Sequence, residues 1–139
     1  MVFTICFQFS FYMTVTLIKF LLKIKNAYSF NIEFVELNYN KKYLKILNLL
    51  YFYGFIQSIQ MNFIRSTITV HLRYFENKSL INSLKFFSIP SHHQFVSYTQ
   101  LSLINDKKNF ILFTTTKGLL TLSQCKLQKI GGKILFKIS

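Results

Sequence analysis

The stretch Phe110–Ser139, FILFTTTKGLLTLSQCKLQKIGGKILFKIS, carries the punctuation from which the fold is read. An apolar run, Phe110 to Phe113, stops abruptly in three hydroxyls, Thr114, Thr115 and Thr116, followed by Lys117 and Gly118. A short amphipathic segment comes next, then Gly131-Gly132, then an alternation with Ile134, Phe136 and Ile138 on one face. These patterns predict strand, hydroxyl-rich loop, short helix, glycine turn, strand. Hydroxyls that donate and accept, one cation, and glycines that let a backbone come close suit phosphates, riboses and base edges. The stretch holds no catalytic constellation.

Upstream, the period is helical from Leu17, with Leu17, Ile18, Phe20, Leu21, Ile24 and Tyr28 on one face and Lys19, Lys23 and Asn26 opposite. Ile32 to Leu37 reads as a short strand. A second helix follows, with Leu44, Leu47, Leu50 and Tyr51 as its apolar stripe, Lys41, Lys42, Lys45 and Asn48 opposite, and Gly54 at its C-terminus. Phe55 to Gln60 and Thr67 to Tyr74 predict a hairpin, in which Ile68, Val70, Leu72 and Tyr74 alternate with Thr67, Thr69, His71 and Arg73. Glu76 to Lys78 is the candidate linker. Leu80, Ile81, Leu84 and Phe87 mark a short helical segment, broken by Pro90 and followed by a hydroxyl-rich strand; Leu103 to Asn109 reads as a loop. The whole is α+β in two small modules: N-terminal α-β-α-β-β over residues 13–77, and C-terminal, mostly antiparallel β with a short helix over residues 78–139.

Residues 1–12 read as an N-terminal extension, with Met13 a possible original start. Met1 to Ile18 carry no charge, but Thr4, Gln8, Ser10, Thr14 and Thr16 interrupt the run and Lys19 ends it, short of the ~20 predominantly apolar residues of a spanning helix. The basic n-region and small-residue cleavage site of a secretory signal are missing. Odd positions from 3 to 17 are apolar, which is strand periodicity.

Composition narrows the function. Seventeen Lys and Arg against four Asp and Glu leave a formal charge of +13, which favours a nucleic acid or an acidic membrane surface. Four carboxylates are too few for a paired acid/base site, and the glycines lack phosphate-loop spacing. His92 and His93, adjacent on a strand, point to opposite faces and do not easily share a metal; no metal or cofactor is expected. Cys6 and Cys125 stand far apart and read as reduced structural thiols. An enzyme is not expected, nor a small-molecule substrate. Phe, Ile, Leu, Lys, Asn and Tyr dominate, while Ala27, Pro90, Arg65 and Arg73 are the sole alanine, proline and arginines. Such residues have A/T-rich codons and point to an A/T-biased genome: an organelle, with an A/T-rich bacterium or nucleus as alternatives.

TTTKG followed by GGKIL resembles the C-terminal signature of small-subunit ribosomal protein eight: Ser-Thr-Ser-Lys-Gly, a short helix, Gly-Gly-Glu and a final strand. Upstream, LLKIKNA resembles the family's Leu-x-Arg-Ile-Arg-Asn-Ala, with Lys23, Lys25 and Asn26 matching. KKYLKIL with GFI resembles its second helix, and SIPSHHQF its Ser-x-Pro-Gly-x-Arg-x-Tyr. There Ser88 and Pro90 match, Ser91 replaces Gly, His93 replaces Arg, and Phe95 replaces Tyr; at the glycine turn Lys133 replaces Glu. His93, near a reference pKa of ~6.5, turns a constant cation into a conditional one.

The resemblance implies a structural constituent of the small ribosomal subunit that binds the central domain of its rRNA and organises folding during assembly. Its partners would be that rRNA and neighbouring ribosomal proteins, and its place the mitochondrial matrix, with plastid or bacterial cytoplasm as alternatives. Thr114, Thr115, Thr116 and Lys117 would make the specific contacts, with Gly118, Gly131 and Gly132 permitting close approach. Lys23, Lys25, Lys41, Lys42, His93 and Lys133 would neutralise phosphates, Asn26 would lie at an RNA-contacting helix end, and Phe95 would stack beside Ser88, Pro90 and Ser91. Lys41 and Lys42 fit a solvated helix face equally well. The rival class is a small basic membrane-associated protein anchored by residues 1–22.

Overall fold

The computed structural model describes residues 2–105 and 108–139, and the side chains of these except at residues 2–14 and 42. The chain forms two compact units, Met1–Ile81 and Asn82–Ser139.

In the first unit α1 (Val2–Ser29) leads to β1 (Phe34–Asn38), α2 (Lys41–Phe52), β2 (Ile56–Asn62) and β3 (Thr67–Leu72). The three strands form an antiparallel sheet in the order β1-β3-β2. Period two on β3 buries Ile68, Val70 and Leu72, as the alternation predicts, against Val35 and Leu37 of β1 and Ile56 of β2. Leu17, Phe20, Leu21, Ile24, Ala27 and Tyr28 are the buried stripe of α1, and Ile46, Leu47 and Leu50 that of α2. The predicted α2 stripe is thus rotated: Leu44 is half-buried and Tyr51 exposed. Phe20 stacks on Tyr43 with centroids 4.7 Å apart, joining the two helices.

The strand expected before Ile18 is instead helix, continuous with the segment after it. Apolar positions 3, 7, 11 and 15 recur at helical spacing as well as strand spacing, and no glycine or proline interrupts the chain before Gly54. No helix among the described residues is long and apolar enough to cross a membrane. The side chain of Cys6 lies outside the described residues.

The predicted linker Glu76–Lys78 is part of a small hairpin. β4 (Tyr74–Phe75) pairs with β5 (Lys78–Ser79), and Glu76 and Asn77 between them have φ of 49° and 59°. Two left-handed central residues are the mark of a type I′ hairpin turn, whose twist matches that of the strands. The division between units falls after it, at Ile81.

In the second unit β6 (Leu84–Phe86), β7 (Phe95–Val96), α3 (Tyr98–Leu103), β8 (Phe110–Thr115), β9 (Gly118–Thr121), α4 (Leu122–Gln128) and β10 (Gly132–Ile138) follow in order. β10 is the hub, antiparallel to β8 on one side and to β6 and β7 on the other, with β9 beyond β8. Leu101, Ile111, Phe113, Leu122, Cys125 and Ile134 form the core, and burial pushes the Cys125 thiol pKa up. The helix expected around Leu80–Phe87 is extended chain: Leu84–Phe86 finds ladder partners on β10, which override its apolar spacing. The expected loop after Leu103 begins as α3 ends, and its Asp106 and Lys107 lie outside the described residues.

The Tyr28 hydroxyl donates to the Phe55 carbonyl, and burial pushes its pKa up to about 12 from 10.0. A folded pKa above the unfolded one gives stability that is full below pH 10 and is lost as pH rises through about 12. Tyr28→Phe should lower stability by about 0.5–1.5 kcal/mol at neutral pH, by removing one of the two hydrogen bonds to the Phe55 carbonyl, the other coming from the Arg73 amide. It should also flatten the loss between pH 10 and 12, read by urea unfolding at each pH.

Candidate nucleic-acid interface

One end of the second unit's sheet gathers thirteen of the eighteen residues singled out by sequence. On β10, Lys133 lies opposite Phe95 of β7 and Thr114 of β8, and Thr114 lies opposite Leu119 of β9. Directly opposed residues of antiparallel strands share a face, so Phe95, Lys133, Thr114 and Leu119 form one row across four strands. Val96 opposite Gly132, and Thr115 opposite Gly118, belong to the neighbouring row, which faces the core side where Val96 packs.

The hydroxyl-rich loop is a tight hairpin, not a loop running into a helix. Thr116 and Lys117 are its exposed tip, and β9 intervenes before α4. Thr115 is spent on closing the turn: its Oγ1 accepts from the Lys117 amide at 3.2 Å and donates to the Gly118 carbonyl at 3.0 Å. Gly118 takes the left-handed φ of +111° that the turn requires. Of the three threonines, Thr114 is half-buried in the ladder and Thr116 stands exposed.

The glycine pair works inside the unit. A Cβ on Gly132 would sit 2.7 Å from the Thr114 carbonyl oxygen and 2.8 Å from Thr115 Cγ2; one on Gly131 would sit 2.6 Å from the Val96 carbonyl oxygen. Close approach is needed here, but to the protein's own strands.

The 88–95 segment is fastened to the same place. Ser88, 2 % exposed, donates its hydroxyl to the Ile134 carbonyl and accepts from the Gln94 amide at 3.3 Å. Ile134 in turn donates to the Gln94 carbonyl at 3.1 Å. Ile89 and His92 exchange backbone hydrogen bonds of 3.0 and 3.1 Å across Pro90 and Ser91, which form the turn. Proline's fixed φ suits the first central position, and Ser91 needs no left-handed φ at the second. Ser88 is therefore a brace, while Ser91 is exposed and Phe95 is 67 % exposed.

Two of the expected phosphate partners change character. Lys133 is only 5 % exposed, and burial lowers its pKa; it is not a surface cation. His93 is half-buried, its pKa lowered by desolvation first, then by the Lys133 charge and by His92. The imidazole is neutral at pH 7 and offers hydrogen bonds rather than charge.

The other five lie in the first unit. Lys23 is exposed and donates from Nζ to the Glu36 carbonyl at 2.6 Å. Lys25 is half-buried, and Asn26 and Lys41 are exposed; the Lys42 side chain lies outside the described residues.

Periodicity missed α3 because it is six residues long, yet its signal was present. Ser97-x-x-Gln100 is a capping box: the Gln100 amide donates to Ser97 Oγ at 3.4 Å and the Ser97 amide to Gln100 Oε1 at 3.1 Å. Lys126 Nζ donates to the carbonyl of Ile104, at the end of α3, at 2.5 Å.

Eight lysines and one acid fall within residues 82–139. A basic antiparallel sheet with a threonine-lysine tip and an exposed aromatic at one end defines a polyanion-binding α+β protein. Residues 16–139 match the family described as Ribosomal protein S8, and the chain belongs to that family. It is 32% identical over 116 residues to the small ribosomal subunit protein uS8 of Mesomycoplasma hyopneumoniae (strain 7448), covering 83% of this chain and 88% of that protein. It is 30% identical over 118 residues to the uS8 of Pelagibacter ubique (strain HTCC1062), covering 84% and 90%. With the protein uS8m of Acanthamoeba castellanii it shares 28% over 121 residues, covering 78% and 94%.

Gly132→Ala should cost about 1–3 kcal/mol by overpacking against backbone, read by urea unfolding. Acid should also weaken the unit through His93. Folding lowers its pKa, so the unfolded chain binds the proton more readily; this contribution is full above 6.5 and is lost as pH falls through the folded value. His93→Gln should remove that part of the slope, and NMR should place the imidazole midpoint below 6.5.

Proposed function

We propose that the chain serves in the small subunit of a mitochondrial ribosome, where its C-terminal unit holds the central domain of the rRNA during assembly. Members of the ribosomal protein S8 family are structural constituents of the small ribosomal subunit, and this chain shares that role and binds the subunit's rRNA and ribosomal proteins. The mitochondrial assignment is supported by the A/T-biased residue usage and by the likeness to uS8m of Acanthamoeba castellanii.

The observation that carries the contact assignment is the exposed Thr116–Lys117 tip on a braced sheet end that also presents Phe95. RNA recognition combines stacking on unpaired bases with small polar groups that reach the 2′-hydroxyl and with cations for phosphate. Thr116 and Ser91 supply the small polar groups, Lys117 the cation and Phe95 the stacking face. Ser88, Thr115, Gly131 and Gly132 act behind that surface by setting where the strands lie, and Lys133 is buried within its row between Phe95 and Thr114. Thr114 stands between the two groups, and Lys23, Lys25, Lys41 and Lys42 contribute phosphate contacts from the first unit. The role needs positioning and charge, not catalysis.

Titrating a small-subunit rRNA transcript at several salt concentrations separates these roles. Lys117→Ala should reduce the slope of log K against log salt by about 0.7–0.9, one phosphate's worth. Thr116→Ala should weaken binding several-fold and leave the slope unchanged. Equal changes in slope for both variants would remove the specific role of Thr116.

A further inference from the structure

The first unit holds an open cleft of about 640 Å3, lined by Tyr51, Phe52, Gly54, Gln57, Arg73 and Tyr74 among others, at the C-terminal end of α2. None of these residues belongs to the contact surface described above. Phe52 is 79 % exposed and Tyr51 54 %, so two aromatic faces meet solvent on a chain of charge +13.

The cleft is built rather than accidental. The Gly54 amide donates to the Tyr51 carbonyl at 3.0 Å and the Phe55 amide to the Leu50 carbonyl at 2.9 Å, the paired bonds of a Schellman stop. That stop requires the left-handed φ of +82° at Gly54, and it fixes where the Tyr51, Phe52 and Tyr53 rings leave the helix. Phe52 and Tyr53 meet edge to face, 5.4 Å apart at 81°. The opposite wall is held by Tyr74, whose hydroxyl donates to the Ile32 carbonyl at 2.7 Å.

The polar lining selects the occupant. Arg73 Nη1 lies over Gly54, 3.4 Å from where a Cβ would stand, and is one of two arginines in a chain that otherwise uses lysine. A guanidinium is planar: it stacks on rings and meets phosphate or a base edge with a fixed fork of donors, which an ammonium does not. Gln57 adds an amide that donates and accepts. Aromatic face, guanidinium and amide together match a nucleobase and its phosphate more fully than an apolar protein side chain, which would leave Arg73 and Gln57 without a role.

We propose that this cleft receives one unpaired, splayed-out base of the small-subunit rRNA, stacked on Phe52, with Gln57 at its edge and Arg73 at its phosphate. The proposal rests on the rRNA-binding reading above and adds a second, separate base-contact site in the first unit.

The chain has no tryptophan, so Phe52→Trp in the full chain places a single reporter in the cleft. On titration with the small-subunit rRNA transcript, its emission should be quenched, with the midpoint seen by filter retention. Phe52→Ala should weaken retention about tenfold at unchanged salt slope, and Gln57→Ala less. Phe52 is exposed, so folding should persist, checked by circular dichroism. Normal retention with unquenched emission and unaltered affinity of Phe52→Ala would overturn the cleft assignment alone, leaving the hairpin reading intact. Cross-links from this site in the native subunit to protein only would overturn it in favour of a protein occupant. Absence of any rRNA retention would overturn both readings.

Discussion

The convergence of three strands at Gly132 is the constraint on which the C-terminal unit depends. The backbone of β10 passes so close to Thr114 and Thr115 that no side chain fits at Gly132, and Gly131 repeats the squeeze against Val96. Because β7 and β8 both pair with β10 at this point, the 88–95 segment and the Thr116–Lys117 hairpin are held at a fixed separation. Ser88 adds the brace from behind. The exposed groups need no network of their own; their positions follow from the backbone beneath them.

That arrangement changes what the departures from the family pattern mean. Lys133, where the family signature has Glu, lies within the row between Phe95 and Thr114, and it is buried there rather than exposed. Its charge acts on its neighbours, helping to keep His93 neutral. With His93 where the family signature has Arg, the imidazole is half-buried, while Phe95 and Lys117 stand exposed.

Much of this was legible in the sequence where a single period ruled. Ile68, Val70 and Leu72 of β3 and Leu17, Phe20, Leu21, Ile24 and Tyr28 of α1 are buried as their periods predict, while Ile18 and Tyr74, expected on the same faces, are only half-buried. The hydroxyl-lysine-glycine run marks the exposed tip. Elements decided by partners rather than by their own pattern were not legible. Leu84–Phe86 has helical spacing but is a strand because β10 is there to pair it. Val2–Ile18 satisfies two periods at once and is helix. Inside the site, residue type alone cannot separate a hydroxyl that faces solvent from one that closes a turn. Thr115 and Ser88 are consumed internally while Thr116 and Ser91 stand exposed, a difference set by tertiary hydrogen bonds that residue type does not carry.

The most direct test of the central claim is photo-crosslinking of the native small subunit followed by peptide mapping. The account predicts RNA adducts on the peptides that carry Phe95 and Thr116–Lys117, and none on the peptide centred on the buried Ser88. Adducts confined to the first unit, with the hairpin peptide joined only to protein, would contradict it.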